Sequence, residues 1–329
     1  MGELEQSVTS MQRFTASEWR TLNWFVRWLI MVRAPVLVMT LSSGLAGVLL
    51  ALQAGPVQWT VALVILLGLT FAHATNNLLN DWVDHATGVD KDNYFRQRYG
   101  THVLEDLLVA KHVMALVILG TALIAVAAAV YLVLVSPVTE NVMLLTAIGA
   151  IFVLFYTWPL KHLALGELSV LLVWGPLMTG GTFYVLTQTI SFEVVLVSLL
   201  AGIGPTLVIF GKHIDKISDD TNKGVNTLPV VLGTRRSLIA TRLLLLGLAI
   251  CLLLAIVIFK FYALAICALA IPRAWQLNKV LAKSAPASKP SDYPDNVWPL
   301  WYSASAFGFV RVFGLALLAG LTLQLFVPA

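Results

Sequence analysis

The sequence predicts an all-α protein, a polytopic membrane bundle of about nine transmembrane helices around a central cavity. Hydrophobic residues make up 59% of the chain and charged residues only 12%, which differs strongly from the average soluble domain. Apolar runs of about 20 residues, long enough to cross the hydrocarbon core of a bilayer, recur along the chain. These runs are too long and too uniformly apolar for a membrane barrel, whose strands alternate over segments of about ten residues.

The apolar runs predict nine spans. They lie near residues 30–52, 58–80, 112–135, 140–157, 168–187, 192–211, 238–259, 261–280 and 304–326. We divide the chain accordingly into a cytoplasmic or interfacial N-terminal segment, residues 1–29, and a transmembrane domain, residues 30–329. No other stretch is long and polar enough to form a second folded unit.

The distribution of basic residues predicts the orientation in the membrane. Loops on one side carry nearly all Lys and Arg, whereas the opposite loops contain only Lys260. Because basic residues concentrate in cytoplasmic loops, we expect a cytoplasmic N-terminus. We also expect an integral protein of a bacterial cytoplasmic (inner) membrane. In the N-terminal segment, three tryptophans near Arg20 and Arg27 favour a segment at the membrane surface, with a frayed tail as the alternative; they are Trp19, Trp24 and Trp28. The net charge of +4 reflects the loop bias, and we expect no nucleic-acid partner.

An acidic cluster at the end of the second predicted span is the first candidate site. It has positions i, i+3, i+4 and i+7, occupied by Asn77, Asn80, Asp81 and Asp84. On a helix this spacing places the side chains along one face. Asp90 follows a glycine at which we expect the helix to end. Carboxylate and amide oxygens suit Mg²⁺, which is usually held by one or two carboxylates together with phosphates and water. A solvated helix end is the alternative interpretation.

A second acidic cluster follows the sixth predicted span. Its charged residues share one helical face and are Lys212, Asp215, Lys216, Asp219 and Lys223. Alone, this pattern is equally typical of a solvated helix with alternating charges, but two such clusters together favour a paired metal site. Gly224 predicts a turn, and Pro229 predicts the start of a short helix. Lys223 and backbone N–H groups of the turn can meet phosphate oxygens.

Two sites for hard cations at the entrance of an apolar cavity would match the two parts of a polyprenyl diphosphate, its charged head and its apolar chain. Its allylic C–O bond ionises when Mg²⁺ and cationic side chains stabilise the departing diphosphate. The carbocation that results has to be kept away from water, as in a closed pocket of low dielectric constant. The two clusters therefore indicate chemistry on an isoprenoid diphosphate, with Mg²⁺ as the cofactor and membrane lipid as the surroundings.

The two clusters also resemble the aspartate motifs of the UbiA-type membrane prenyltransferase superfamily. The segment from Asn77 to Asp84 with Asp90 is similar to the first motif, and Asp215 with Asp219 is similar to the second. The motifs follow helices two and six of a nine-helix bundle, as in that superfamily. Within it, the chain is most similar to the menaquinone-type 1,4-dihydroxy-2-naphthoate prenyltransferases. The segments that carry this similarity include Gly88-Val89-Asp90, Gly100 to Val109, Leu165-Gly166-Glu167 and Tyr156 to Lys161.

The resemblance implies a Mg²⁺-dependent prenyltransferase that moves a polyprenyl group from its diphosphate to a small aromatic acceptor in quinone-type lipid biosynthesis. The residues that it assigns to metal binding are Asn80, Asp81, Asp84, Asp90, Asp215 and Asp219. Those that it assigns to the diphosphate are Arg96, Lys161, Lys212 and Lys223, with Arg33 as a weaker candidate. Asn77 and Tyr156 are assigned to the substrate pocket. Lys212 and Ile214 depart from the Asn and Arg that this branch usually has, which alters the surroundings of the acceptor.

Three other functions remain as alternatives. A secondary transporter would place its polar groups near the bilayer midplane, whereas most acidic residues here lie at span ends and in loops. A CDP-alcohol phosphotransferase would carry an Asp-x2-Asp-Gly-x2-Ala-Arg motif, which this sequence lacks. A UbiA-like terpene cyclase, which ionises a prenyl diphosphate without an aromatic acceptor, is compatible with the same motifs.

Overall fold

The computed structural model describes residues 13–92 and 95–327, and all regular structure within these ranges is helical. The all-α class is therefore confirmed. The α-helices are α1 (Ala16–Thr21), α2 (Trp24–Met31), α3 (Ala34–Ala54), α4 (Trp59–Ala86), α5 (Lys111–Val135), α6 (Thr139–Phe155), α7 (Gly166–Leu172), α8 (Gly181–Thr187), α9 (Phe192–Asp215), α10 (Ile217–Asn222), α11 (Leu228–Leu232), α12 (Thr234–Val257), α13 (Ile271–Leu281) and α14 (Tyr302–Gln324).

Within the described ranges, seven helical stretches are long and apolar enough to cross a membrane, so the count of nine is not confirmed. They are α3, α4, α5, the continuous stretch Gly166–Thr187, α9, α12 and α14. Of the two remaining predicted spans, α6 has only 17 residues. The other consists of the 3₁₀ segment Tyr262–Ala270 followed by α13. Pro272 lies in the first turn of α13, and a proline is accommodated at a helix start but not in its interior.

The N-terminal segment contains two short helices. Thr15 begins α1 with a capping box, because its side chain accepts from the Glu18 backbone N–H and the Glu18 carboxylate accepts from the Thr15 N–H. Trp19 is buried, whereas Trp24 and Phe25 are exposed. Residues 1–12 of this segment lie outside the described ranges, and the division at residues 29 and 30 stays a prediction.

Both acidic clusters lie at helix ends, as expected. Helix α4 ends at Ala86, just before Gly88 at φ +73°, a left-handed conformation that glycine adopts without steric cost. Beyond α9, Gly224 has φ +69°, and Pro229 lies in the first turn of α11. The predicted helix end, turn and short helix are therefore confirmed.

Helix α9 packs closely against its neighbours through glycines. A Cβ atom on Gly202 would lie 2.7 Å from the carbonyl oxygen of Leu171 and 2.9 Å from Cα of Gly175. A Cβ atom on Gly211 would lie 2.7 Å from the backbone nitrogen of Ser303 in α14. Small residues let helix backbones approach in membranes, so these glycines set the position of the second acidic cluster against α14.

Candidate active site

A mostly apolar cavity of about 780 Å³ lies inside the bundle. At one end its lining includes Asn80 and Lys212, and at the other Leu132 and Val142. Small side chains widen it between these ends, namely Gly68, Ala72, Ala122, Ala125, Ala129, Gly149 and Ala150. The cavity therefore offers a long apolar space that begins beside the acidic clusters.

A smaller polar pocket adjoins this cavity. Its lining residues are Arg33, Asn80, Asp84, Asp90, Phe95, Arg96, Tyr99, Tyr156, Lys161, Ile209, Lys212, His213 and Lys216. Seven of them also line the cavity, which joins the two spaces. The first cluster contributes Asn80, Asp84 and Asp90, and the segment of the second cluster contributes Lys212 and Lys216. The structure thus brings the two segments to one site.

Asp84 is paired with Lys161 in the polar pocket. The Lys161 Nζ atom lies 2.9 Å from Oδ1 and 3.1 Å from Oδ2 of this carboxylate. Lys161 belongs to the short 3₁₀ helix Leu160–Leu163 that follows α6, and its side chain is buried. The Asn80 amide, one helical turn before Asp84, donates to the same carboxylate. The Lys161 amine and the side chains of Asn80 and Asp84 therefore lie in direct contact within the polar pocket.

Asp81 holds two arginines that line both spaces. Its Oδ1 atom accepts hydrogen bonds from the guanidinium groups of Arg33 and Arg96. Its Oδ2 atom is buried and has no hydrogen-bond partner among the described residues. Burial lowers the pKa of Arg96, but the charge of Asp81 and its hydrogen bond, together with smaller effects of Tyr99 and Asp90, raise that pKa above its ordinary value. Asp81 itself does not appear in the described lining of either space.

Asp90 reaches the polar pocket from beyond the end of α4. Its carboxylate contacts Nε2 of His102 in the following loop, and both side chains are buried. The predicted return of Asp90 toward the first cluster therefore agrees with its place in the pocket lining.

The acids of the second cluster bind neighbouring elements. Asp215 Oδ1 accepts from the backbone N–H of Tyr302 at 2.8 Å, and Oδ2 accepts from the backbone N–H and the hydroxyl of Ser303 at 2.9 and 2.6 Å. Asp219 Oδ1 accepts from Arg98 at 3.1 Å. Neither acid is in the described lining of the two spaces, whereas Lys212 lines both.

Of the remaining predicted residues, some line the cavity or the polar pocket and others lie outside both. Lys223 lies outside the described linings and donates to the backbone oxygen of Lys91 at 3.2 Å, which links the two loops. Asn77 lines the cavity and donates to the Val32 oxygen at 2.9 Å. Tyr156 lines both the cavity and the polar pocket.

The donor types at the first cluster fit Mg²⁺. Asn80, Asp84 and Asp90 bring amide and carboxylate oxygens to one polar pocket. Among residues 13–92 and 95–327, no three His, Cys, Asp or Glu side chains form a group that could hold a metal ion. Mg²⁺ is usually held by one or two carboxylates, with water and substrate phosphates as its further ligands.

Two cationic residues of the site were not assigned a role from the sequence. Lys216 lines the polar pocket; the sequence placed it on the charged face of the second cluster beside Lys212 but gave it no role at the diphosphate. Arg311 lines the cavity, and it is the only charged residue in its apolar run. A lone charge inside a span is itself a signal of function.

The comparisons with known proteins agree with this arrangement. A sequence model described as the UbiA prenyltransferase family matches residues 40–291. A 1,4-dihydroxy-2-naphthoate octaprenyltransferase of Haemophilus influenzae is 26% identical over 68% of this chain and 75% of its own length. A 2-carboxy-1,4-naphthoquinone phytyltransferase of Synechocystis is 29% identical over 54% of this chain and 57% of its own length.

The fold is similar to that of a solved membrane protein. A UbiA homolog from Archaeoglobus fulgidus, bound to GPP and Mg²⁺, has a TM-score of 0.55 at 14% identity and covers 89% of this chain and 99% of its own. The transporter alternative is not favoured by any of these similarities. Because the family model spans most of the sequence, the chain belongs to the UbiA prenyltransferase family and is a prenyl-transferring membrane enzyme.

Proposed function

We propose that this enzyme moves a polyprenyl group from its diphosphate to a carboxylated naphthalene acceptor, with Mg²⁺ as the cofactor, in quinone-type lipid biosynthesis. The acceptor is suggested by the names of the two relatives, which carry a naphthoate and a carboxy-naphthoquinone. The cofactor is suggested by the Mg²⁺ in the solved homolog. We further propose a bacterial inner-membrane location with the N-terminus in the cytoplasm.

The observation that carries this proposal is the concentration of positive charge beside the apolar cavity. Five cationic side chains line the polar pocket, namely Arg33, Arg96, Lys161, Lys212 and Lys216. The acids that line the pocket are Asp84 and Asp90, while Asp81 and Asp220, outside its described lining, pair with Arg33, Arg96 and Lys216. The oxygens of a diphosphate would accept hydrogen bonds from these cationic side chains, and the adjoining cavity would take the apolar tail.

The residues divide into binding and positioning roles. Asn80, Asp84 and Asp90 would hold one Mg²⁺, and Asp215 and Asp219 are proposed for a second. When bound, the metal would supply positive charge that stabilises the departing diphosphate.

The cationic residues complete the diphosphate site. Arg96, Lys161 and Lys212 contact phosphate oxygens directly, and Lys223 joins them from the turn after α10. Asp81 acts through the two arginines that it holds.

The proposed transfer exchanges one bond for another. The C–O bond between the allylic carbon and the diphosphate breaks, and its electron pair leaves with the diphosphate. A ring carbon of the acceptor forms the new C–C bond, and the ring then loses a proton to water. The cationic pocket stabilises the charge that develops on the leaving group, while the apolar cavity, which Asn77 and Tyr156 line near the pocket, keeps water from the carbocation.

A reconstituted assay tests this function. The purified protein is incubated with radiolabelled prenyl diphosphates of several lengths, Mg²⁺ and 1,4-dihydroxy-2-naphthoate, and the lipid product is identified by mass spectrometry. We expect EDTA to stop transfer and added Mg²⁺ to restore it. Asp84→Ala and Asp219→Ala should abolish turnover without removing folded protein from the membrane. Glu193→Ala, which replaces a partly exposed acid at the opposite end of α9, should retain turnover.

The outcomes separate the remaining alternatives. Transfer that survives EDTA, or near-normal turnover of Asp84→Ala, would contradict the proposed metal site. Mg²⁺-dependent release of diphosphate that proceeds equally well without an acceptor would identify a terpene cyclase instead.

A further inference from the structure

Arg311 lies deep inside the last spanning helix. It is nine residues after Tyr302 and thirteen before Gln324, the two ends of α14. At the helical rise of 1.5 Å per residue these separations are about 13 Å and about 20 Å. It is also the only Lys, Arg, Asp or Glu of this helix. A charge at such depth is costly and rare, and it usually faces a partner or a functional cavity.

No protein group compensates this charge among residues 13–92 and 95–327. Arg311 forms neither a hydrogen bond nor an ion pair with any of them. Arg242, at a similar depth in α12, shows the contrast, since its guanidinium donates to the side-chain oxygen of Asn278 at 2.9 Å. Arg242 also lies outside the described lining of the cavity. The Arg311 guanidinium is therefore available to a ligand.

Arg311 lines the cavity next to open space beside Gly308. It lines the cavity together with Ala304, Phe307 and Gly308 of the same helix. A Cβ atom on Gly308 would have no heavy atom within 4 Å. Long side chains on a helix cover the turn that precedes their own Cα, so we expect the guanidinium beside this open space, on the side toward the polar pocket.

The depth of Arg311 suits an acceptor that lies next to the diphosphate. Ser303, which lines the cavity at the end nearest the polar pocket, precedes Arg311 by eight residues, or about 12 Å. A side chain that reaches back by one turn shortens this separation by about 5 Å. A fused two-ring aromatic acid can span the remaining gap between the guanidinium and the reacting end of the cavity.

We propose that Arg311 binds the carboxylate of the aromatic acceptor and thereby orients its ring toward the allylic carbon. The inference rests on the proposed function and assigns the acceptor subsite. The diphosphate already has five cations in the polar pocket, so the acceptor carboxylate is the one anion of the reaction that needs a separate partner. Arginine matches a carboxylate with two parallel hydrogen bonds, which fixes the orientation of the carboxylate as well as binding it.

A pair of probes that differ only in the carboxylate tests the subsite. Binding of 1-hydroxy-2-naphthoate and of 1-naphthol to the purified full-length protein in nanodiscs is followed by their own fluorescence. Arg311→Gln should weaken naphthoate binding by about tenfold to a hundredfold. It should change naphthol binding by less than about twofold. Arg311→Lys should fall between Arg311→Gln and the wild type for the naphthoate, because an ammonium keeps the charge but not the paired hydrogen bonds.

Arg242→Gln is the matched control, and it should bind both probes as the wild type does. The inference is overturned if Arg311→Gln binds the naphthoate normally, or if it loses both probes equally. Because the readout is binding without turnover, its failure is distinct from that of the proposed function. If the enzyme transfers prenyl groups and Arg311→Gln binds the naphthoate as tightly as the wild type, the proposed function stands and the subsite is wrong. If naphthoate binding depends on Arg311 but no transfer occurs, the subsite stands and the proposed function is wrong.

Discussion

The Asp81 carboxylate lies between two guanidinium groups from different segments of the chain. Arg33 precedes α3 and Arg96 lies in the 3₁₀ helix Phe95–Arg98, yet both donate to one oxygen of this acid. Ions buried in this way are retained only when their partners compensate the loss of water. The acid therefore fixes where two positive charges stand relative to the polar pocket.

Replacing Asp81 by Asn should slow transfer without changing the Mg²⁺ concentration that gives the half-maximal rate. Without their anchor, Arg33 and Arg96 are no longer held against the charge that develops on the diphosphate, and misplaced groups of this kind cost roughly a hundredfold in rate. The measurement is kcat at saturating substrates together with the Mg²⁺ concentration for half-maximal rate. Asp84→Asn is the comparison, because it should raise that Mg²⁺ concentration. An equal increase in both variants would show that Asp81 is a direct metal ligand.

At the scale of elements, the junction of α9 and α14 orients the second acidic cluster. Asp215 at the end of α9 accepts hydrogen bonds from the first two residues of α14, and the N-terminus of a helix favours a negative charge. Lys212, one turn earlier in α9, then faces the cavity and the polar pocket. The contact between two helix ends thus decides which charges of the cluster reach the substrate.

Gly211→Ala should destabilise the protein by separating these two helices. Its Cβ would lie 2.7 Å from the backbone nitrogen and 2.8 Å from Cα of Ser303, and backbone atoms cannot yield as a flexible side chain does. Overpacking of this kind typically costs about 1–3 kcal/mol, so the melting temperature in detergent should fall. Gly247→Ala in α12 is the control, since its Cβ would meet no atom within 4 Å and should leave melting unchanged or raise it. Equal melting of the two variants would contradict the proposed role of the junction.

At the scale of the whole molecule, the cavity extends far from the site of chemistry. On α5, Lys111 begins the helix at the end where α4 carries its acids, and Ala129 lines the cavity 18 residues further on. The separation along the helix is about 27 Å. Ile65, Leu132 and Val142 line the cavity near its far end and pack together as a buried cluster. The length of the prenyl tail that fits is therefore set by residues remote from the diphosphate.

Ala129→Phe should shorten the longest prenyl diphosphate that the enzyme uses. The added ring would occupy the far part of the cavity, so kcat/KM should fall for long donors and stay unchanged for short ones. The measurement is a series of donors that differ by single isoprene units. Ala127→Phe provides the control, because Ala127 is exposed and lies outside the described lining. Equal loss for short and long donors would indicate general damage rather than a limit on length.

The membrane fold and the position of the two clusters were predictable because they follow from local patterns. Apolar runs specify spans wherever the bilayer excludes unsatisfied backbone groups, and Gly88 marks the end of α4 through its own conformation. The number of spans was not predictable, since α13 and the segment before it have the composition of a span without being one helix. Which of Asp81 and Asp84 lines the polar pocket was equally unpredictable, because both have the same side chain and lie three residues apart.

The chain by itself determined a helical membrane protein with acids and amines gathered at helix ends, because hydropathy and helical spacing act over short distances. Only the tertiary structure decided which of these groups share a pocket and that Asp81 and Asp215 bind protein groups. It also decided that Arg311 faces a cavity with no partner among residues 13–92 and 95–327. The physical reason is that the role of a charged group depends on the charges and on the water that surround it. In this protein those surroundings come from helices far apart in the sequence.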